Sequence, residues 1–164
     1  MAALKGVILP DQNSENTEGA ALMAQYAFVQ VGTVCLKNRS IFSIDITLAE
    51  ALNWEKTIYA FVINDEIVRI GSSKKKFKSR INSWQSDVTK AIQNMNGLGP
   101  VKTPTPEEEA KEWFRLLTEY KEGRIFAREA TFVTTPVGTF QSYMDEESVL
   151  INRHKPPLNR HTNR

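Results

Sequence analysis

The 164-residue chain has a single cysteine, Cys35, and only two histidines, His154 and His161. One thiol excludes an intramolecular disulfide, and no Cys/His cluster has zinc-ligand spacing. Two histidines leave little for triad chemistry. No run approaches the ~18 apolar residues of a membrane span, and Met1–Leu9 lacks a signal peptide's long apolar core. The expectation is a soluble, cytoplasmic protein with no membrane partner. A domain of this length buries roughly 70% of its unfolded surface, enough to fold without disulfides or structural metal.

Charge is scarce in sum but not in distribution. The net charge is +2, yet KKKFKSR places Lys74, Lys75, Lys76, Lys78 and Arg80 within seven residues. The tail from Arg153 holds both histidines and no acid, whereas acids gather between Thr105 and Glu122. Two basic clusters on a nearly neutral chain could form a phosphate-binding surface. A solvated lysine loop and a frayed tail are the bland alternative.

Hydrophobic periodicity outlines the elements. Residues 1–24 carry no readable pattern, and Pro10–Gly19 reads as a polar loop. Tyr26–Leu36 and Ile41–Ile46 have strand composition. Thr47 and Glu50 have the spacing of a capping box that opens a short helix. Thr57–Ile63 and Glu66–Gly71 read as a hairpin joined at Asn64-Asp65. Ile81, Trp84, Val88, Ala91 or Ile92, and Met95 recur at helical spacing from Ser79, and Gly97–Pro100 ends that helix. A second helix is expected from Thr105, with Glu108 closing a capping box and Ala110, Trp113, Leu116, Leu117 and Tyr120 as its core stripe. Arg124–Thr134 reads as a strand, Pro136–Gly138 as a turn, and Ser142–His154 as a last helix stopped by Pro156-Pro157. The expected fold class is α+β: a small, mainly antiparallel central sheet (hairpin 57–71 plus a strand near 124–134) flanked by helices.

Four features follow in chain order: Thr57-Ile58-Tyr59 in one strand, Arg69-Ile70-Gly71 in the next, Arg80 on the following helix, and Glu147 in EESVLINRHKPPLN, with Leu150, Ile151, Pro156 and Asn159 beyond it. This order and spacing resemble the GIY-YIG nuclease superfamily, most closely its small type II restriction endonucleases. The segment from Glu147 to Asn159 is the most specific part. The chain departs from the family pattern at Thr57, in place of glycine, and at Arg69, in place of tyrosine. It departs again at Trp84, which cannot act as a general base. Some restriction enzymes of the superfamily also carry a basic residue at the position of Arg69.

The resemblance implies a catalytic set of Tyr59, Arg69, Arg80 and Glu147, with Glu147 holding one Mg²⁺, for which Mn²⁺ could substitute. That ion keeps its waters and needs few protein ligands. Arg80 would bind the scissile phosphate, and Tyr59 would orient or deprotonate the attacking water. A phenol ionises near pH ~10 and is a poor base unless positive charge lies close. Arg69 on the same face, together with the metal, would supply that charge. Lys74, Lys75, Lys76 and Lys78 would contact DNA phosphates, while Arg160 and His161 could touch DNA or belong to a loose tail.

The implied domain plan is an N-terminal extension, residues 1–56, packed on a nuclease-like domain, residues 57–164, with a helical insertion at about 85–122 where recognition elements could lie. The implied function is metal-dependent hydrolysis of DNA by a sequence-specific restriction enzyme. A homodimer would suit a palindromic target. The alternatives are a phage or mobile-element nicking nuclease and a catalytically inactive nucleic-acid-binding protein.

Two geometric expectations accompany this reading. Tyr59 and Arg69 share a face only if the hairpin loop has an odd residue count. A three-residue loop, Asn64 to Glu66, would pair Ile63 with Ile67, Phe61 with Arg69 and Tyr59 with Gly71, and Gly71 would leave room for a phosphate backbone. Glu147 rather than Glu146 lies on the core-facing stripe of the last helix, where a lone carboxylate is costly unless it is paired or binds a cation. Arg80 is the structural candidate for that pairing.

Overall fold

A computed structural model describes residues 19–159. Of the expected Pro10–Gly19 loop only Gly19 falls within this range, and Arg160 and His161 lie outside it. In chain order the elements are helix α1 (Gly19–Gln25), strands β1 (Val29–Lys37) and β2 (Ile41–Ile46), a 3-10 turn (Ala49–Asn53), and strands β3 (Thr57–Ile63) and β4 (Glu66–Ser73). Helices α2 (Phe77–Met95) and α3 (Glu107–Tyr120) come next, followed by strands β5 (Glu122–Glu129), β6 (Phe132–Thr135) and β7 (Gly138–Gln141). Helix α4 (Tyr143–His154) and a 3-10 turn (Pro157–Asn159) end the described chain. The central sheet has five strands in the order β2-β1-β5-β3-β4, and every pairing in it is antiparallel. Strands β6 and β7 form a separate ribbon. The fold is α+β, as composition and periodicity indicated. Residues 29–46 supply two strands to this same sheet, β1 pairing directly with β5.

Local signals misled at two points. The capping box expected at Thr47 and Glu50 does not form. Thr47 Oγ1 donates instead to the Val31 carbonyl, and residues 49–53 close into a 3-10 turn. Helix α3 begins at Glu107 with no side-chain cap, and Glu107, Glu108 and Glu109 remain in its first turn, where carboxylates favour the helix dipole. The expected strand at 124–134 is also broken, because β5 ends at Glu129 and the chain turns before β6.

The β3–β4 hairpin corrects the expected loop while reaching the same register at the site. The turn has two residues, Asn64 and Asp65, both at positive φ (51° and 61°), and Ile63 pairs with Glu66. Asn and Asp tolerate that conformation, which matches the twist of a tight hairpin. An even loop alone would turn Arg69 away from Tyr59. A bulge restores it: the register shifts between Phe61 and Val62, so Phe61 pairs with Arg69 and Tyr59 with Gly71. Val68 is the additional residue, and it packs in the same cluster as Phe61. One inserted residue flips every side chain beyond it to the other face.

Helices cover both faces of the sheet. Tyr59, Phe61 and Ile63 of β3 face α2 and α3, packing with Phe77, Trp84, Val88 and Trp113. Ile58, Ala60 and Val62 face α1 and α4, packing with Met23, Phe126 and Leu150. All seven β3 residues are buried, which accounts for its unbroken apolar run, TIYAFVI. The chain then wraps round the outer edge of β4: Leu150 packs on the α4 side, but Leu158 belongs to the cluster under α2 and α3.

A buried ion pair fixes that wrap. Arg69 Nη1 donates to Glu109 Oε1 of α3 at 2.7 Å and to the Leu158 carbonyl at 2.9 Å. Arg69 and Glu109 are 6% and 2% exposed. One residue on, Asn159 Nδ2 donates to the Ile70 carbonyl and its Oδ1 accepts from the Ile70 N–H, both at 2.8 Å. This carboxamide completes the ladder of an edge strand that would otherwise leave these groups unpaired. Removing one member of a buried pair strands the other charge. Glu109→Ala is therefore expected to lower unfolding free energy by about 3–5 kcal/mol, whereas Arg69→Met with Glu109→Leu costs less than half as much. Urea unfolding of both variants measures the difference.

Candidate active site

Two of the four residues singled out in the sequence, Tyr59 and Arg80, are in contact at the β4 edge, and a third, Glu147, lies near enough for its charge to act on Arg80. Tyr59 is held among Phe61, Phe77 and Trp84, and its ring leans outward across β4. A Cβ added to Gly71 would lie 2.6 Å from both Cζ and Oη of Tyr59. The space at Gly71 therefore belongs to the tyrosine and not to a phosphate backbone, which corrects the expectation. The glycine lets the phenol reach the edge of the sheet.

Arg80 sits in the first turn of α2, where Nε donates to Tyr59 Oη at 3.1 Å. Its guanidinium is held above its ordinary range, first by its electrostatic interaction with neighbouring Tyr59, acting against the opposing effect of burial. The hydrogen bond to Tyr59 and the carboxylates of Glu147 and Asp87 add to this. Glu147 approaches from α4, on the opposite side of the edge. It lies on the face defined by buried Tyr143, Leu150 and His154, at helical spacings of four, three and seven residues, and is itself half-buried. Among the described residues it makes no ion pair within 4 Å. Glu146 is committed elsewhere, to Arg128 and to Ser142 Oγ, which donates at 2.8 Å.

Arg69 shares the Tyr59 face, but its guanidinium is bound to Glu109 and Leu158 and lies over Trp84 at 5.0 Å. The cation beside the phenol is thus Arg80, where the sequence suggested Arg69. Trp84 is a core residue, 5% exposed. Lys74, Lys75, Lys76 and Lys78 are all exposed. They surround the N-terminus of α2, whose first turn holds no acid, and none of them enters an ion pair among the described residues. Cations at a helix N-terminus oppose its dipole, so this cluster favours an incoming anion.

Sequence reasoning missed Glu109. Three glutamates in a first turn read as dipole partners, but only Glu109 stands four and seven residues before Trp113 and Leu116, on the buried stripe. It also missed the Arg128–Glu146 pair. Arg128 Nε donates to the Tyr26 carbonyl at 2.9 Å, and the Tyr26 hydroxyl lies 2.8 Å from His154 Nε2.

Among the described residues no group of three or more Cys, His, Asp or Glu could cage a metal ion, and no helix is long and apolar enough to cross a membrane. No protein-family model matches the chain, and no curated protein matches its sequence. Among solved structures, it is similar to a glutamate-to-alanine mutant of bacteriophage T4 EndoII. The TM-score is 0.58 and the identity 21%, over 85% of this chain and 97% of that one. The restriction endonuclease HPY188I in complex with product DNA matches with a TM-score of 0.47 and 20% identity, over 90% of this chain and 88% of that one. This chain has the EndoII fold.

Two measurements check the site's construction. Gly71→Ala must displace the phenol, so it should lower stability by about 1–3 kcal/mol in denaturant titration. Burial alone would raise the Glu146 carboxyl, but hydrogen bonds from Arg128 and Ser142 and the Arg128 charge outweigh it, and the group lies below its ordinary value. A carboxyl lowered by folding stabilises fully above its unfolded value and loses that contribution as pH falls through the folded one. The melting-temperature gap between wild type and Glu146→Gln should be open at neutral pH and close below about pH 4.

Proposed function

We propose that this chain is a divalent-metal-dependent endonuclease of the GIY-YIG type that hydrolyses DNA phosphodiester bonds. The observation that carries the reading is the convergence at the β4 edge. Tyr59 and Arg80 are in hydrogen-bond contact there, the Glu147 charge acts on Arg80, and four exposed lysines lie at the start of the same helix. The fold shared with T4 EndoII, a phage endonuclease, supports it.

In this reading Glu147 is the metal ligand. A single half-buried carboxylate outside any ion pair suits Mg²⁺ or Mn²⁺, which take one or two carboxylates and leave the other positions to water and substrate phosphate. The bound ion would polarise the phosphoryl oxygen and stabilise developing negative charge. Arg80 uses Nε on Tyr59, leaving two terminal nitrogens for the scissile phosphate, where a guanidinium forms paired, charge-assisted hydrogen bonds. Tyr59 Oη, fixed by that contact, would as a neutral phenol keep its own hydrogen and one lone pair to orient the attacking water, and only as a phenolate, its hydrogen already lost to solvent, would it take the water's proton. Arg69 acts as a positioning residue through Leu158. Lys74, Lys75, Lys76 and Lys78 hold flanking phosphates, a contribution that salt weakens. All of these residues fall within 57–164, which we assign as the catalytic domain. Cleavage of both strands of a palindrome, as in a restriction enzyme, would use two copies related by a two-fold axis.

A second reading, a DNA-binding scaffold without cleavage, is favoured by one observation: Tyr59 is 0% exposed, so water must enter before it can act. Incubating the full chain with plasmid DNA and sequencing the ends decides between them. Wild type is expected to cut with Mg²⁺ and to stop on chelation. Arg80→Ala should lower the rate by about 10²–10³, and Glu147→Gln should abolish cutting with the fold intact. Full cleavage by Glu147→Gln would defeat the site assignment, and no cutting by wild type with either metal would establish the scaffold reading.

A further inference from the structure

The β6–β7 ribbon takes no part in the site, yet it leaves the sheet beside it. Strand β5 ends at Glu129 opposite Thr57, Thr57 pairs with Ser73, and Lys74 follows. The ribbon and the lysine run therefore start from the same end of the sheet. Its root is pinned: the Ala130 N–H donates to the Lys56 carbonyl at 2.9 Å, and the Ser142 N–H and hydroxyl donate to the Thr131 carbonyl at 3.0 and 3.1 Å. Arg128 donates to Thr131 Oγ1 at 3.3 Å and holds Glu146 in the first turn of α4, next to Glu147.

Beyond the root the ribbon stands free. All four β6 residues are exposed, and Phe132, Val137 and Phe140 are 65%, 88% and 54% exposed. Residues 132–141, FVTTPVGTFQ, hold no charge in a chain that is 24% charged. An isolated two-stranded hairpin is marginal in water, and exposed apolar surface of this kind marks a contact site.

Resting on the nuclease reading above, we propose that this ribbon enters the DNA major groove and reads base edges while Lys74–Lys78 hold the backbone. The groove, about 12 Å wide, admits a two-stranded ribbon, and its floor of base edges carries no net charge. Cross-strand pairing puts Phe132, Thr134, Thr139 and Gln141 on one face. The Thr134 and Thr139 hydroxyls are 3.2 Å apart. Together they provide hydroxyl donors and acceptors, an amide able to bond adenine at two points, and an apolar surface for thymine methyls. Lysines that position and an uncharged element that specifies divide the interface as DNA readers do.

The test selects bound duplexes from a random-centre library with the full chain in the absence of metal, so it does not depend on cutting. Failure of the nuclease reading shows separately, as no Mg²⁺-dependent ends. Wild type is expected to enrich a base motif. The variant combining Thr134→Ala, Thr139→Ala and Gln141→Ala should lose that enrichment about tenfold or more, with total affinity in low salt and the salt slope kept. Replacing Lys74, Lys75 and Lys76 by Gln should do the opposite, flattening the salt slope and preserving the motif. An unchanged motif in the ribbon variant, or no motif in wild type, overturns the proposal. So does conversion of a dimer to a monomer by Val133→Ser with Phe140→Ser while enrichment persists, which would assign the ribbon to a second copy.

Discussion

Arg69 stands at the centre of the structure because a guanidinium cannot be buried without partners, and each partner it takes belongs to a different part of the chain. Glu109 brings in α3, the Leu158 carbonyl brings in the segment after α4, and Trp84 brings in α2. Such a pair adds little net stability over a hydrophobic substitute, since desolvation offsets most of the attraction. What it supplies is uniqueness of arrangement: one geometry satisfies the charge. Asn159 then docks on the free edge of β4, and the position of α4, which carries Glu147, is set.

The same edge strand carries the site through one omission and one insertion. At Gly71 a missing side chain lets Tyr59 cross from the second strand to the rim. At the bulge an additional residue returns Arg69 to the face an even hairpin loop would deny it. A phenol and a guanidinium touch there, and the charge of a carboxylate from the other side of the sheet reaches the guanidinium. Only the rim of an edge strand lies within reach of both sides.

How much of this was legible depends on whether the signal is local. The long stripe of α2 and the alternation of β1 and β2 placed those elements within a few residues, because burial on one face writes itself into periodicity. The Thr47 capping box failed because such contacts are weak and neighbouring groups compete for the same atoms: the Val31 carbonyl took the Thr47 hydroxyl. The order Tyr59, Arg80, Glu147 was readable as a spacing, but their approach to one another was not. Glu109 could not be recognised as Arg69's partner, because forty positions separate them and the two flanking glutamates look identical in sequence.

By itself the sequence determined the class of fold, the helices and strands with strong periodicity and the cations clustered before α2. Each follows from interactions within one turn, one strand or one run of charge. Tertiary structure alone decided that Arg69 is an internal brace and Arg80 the cation beside the phenol, and that the space at Gly71 holds a ring. It also decided that the chain from 132 to 141 stands out as a free ribbon. Those outcomes depend on which side chain reaches a shared space first, and only packing settles that competition.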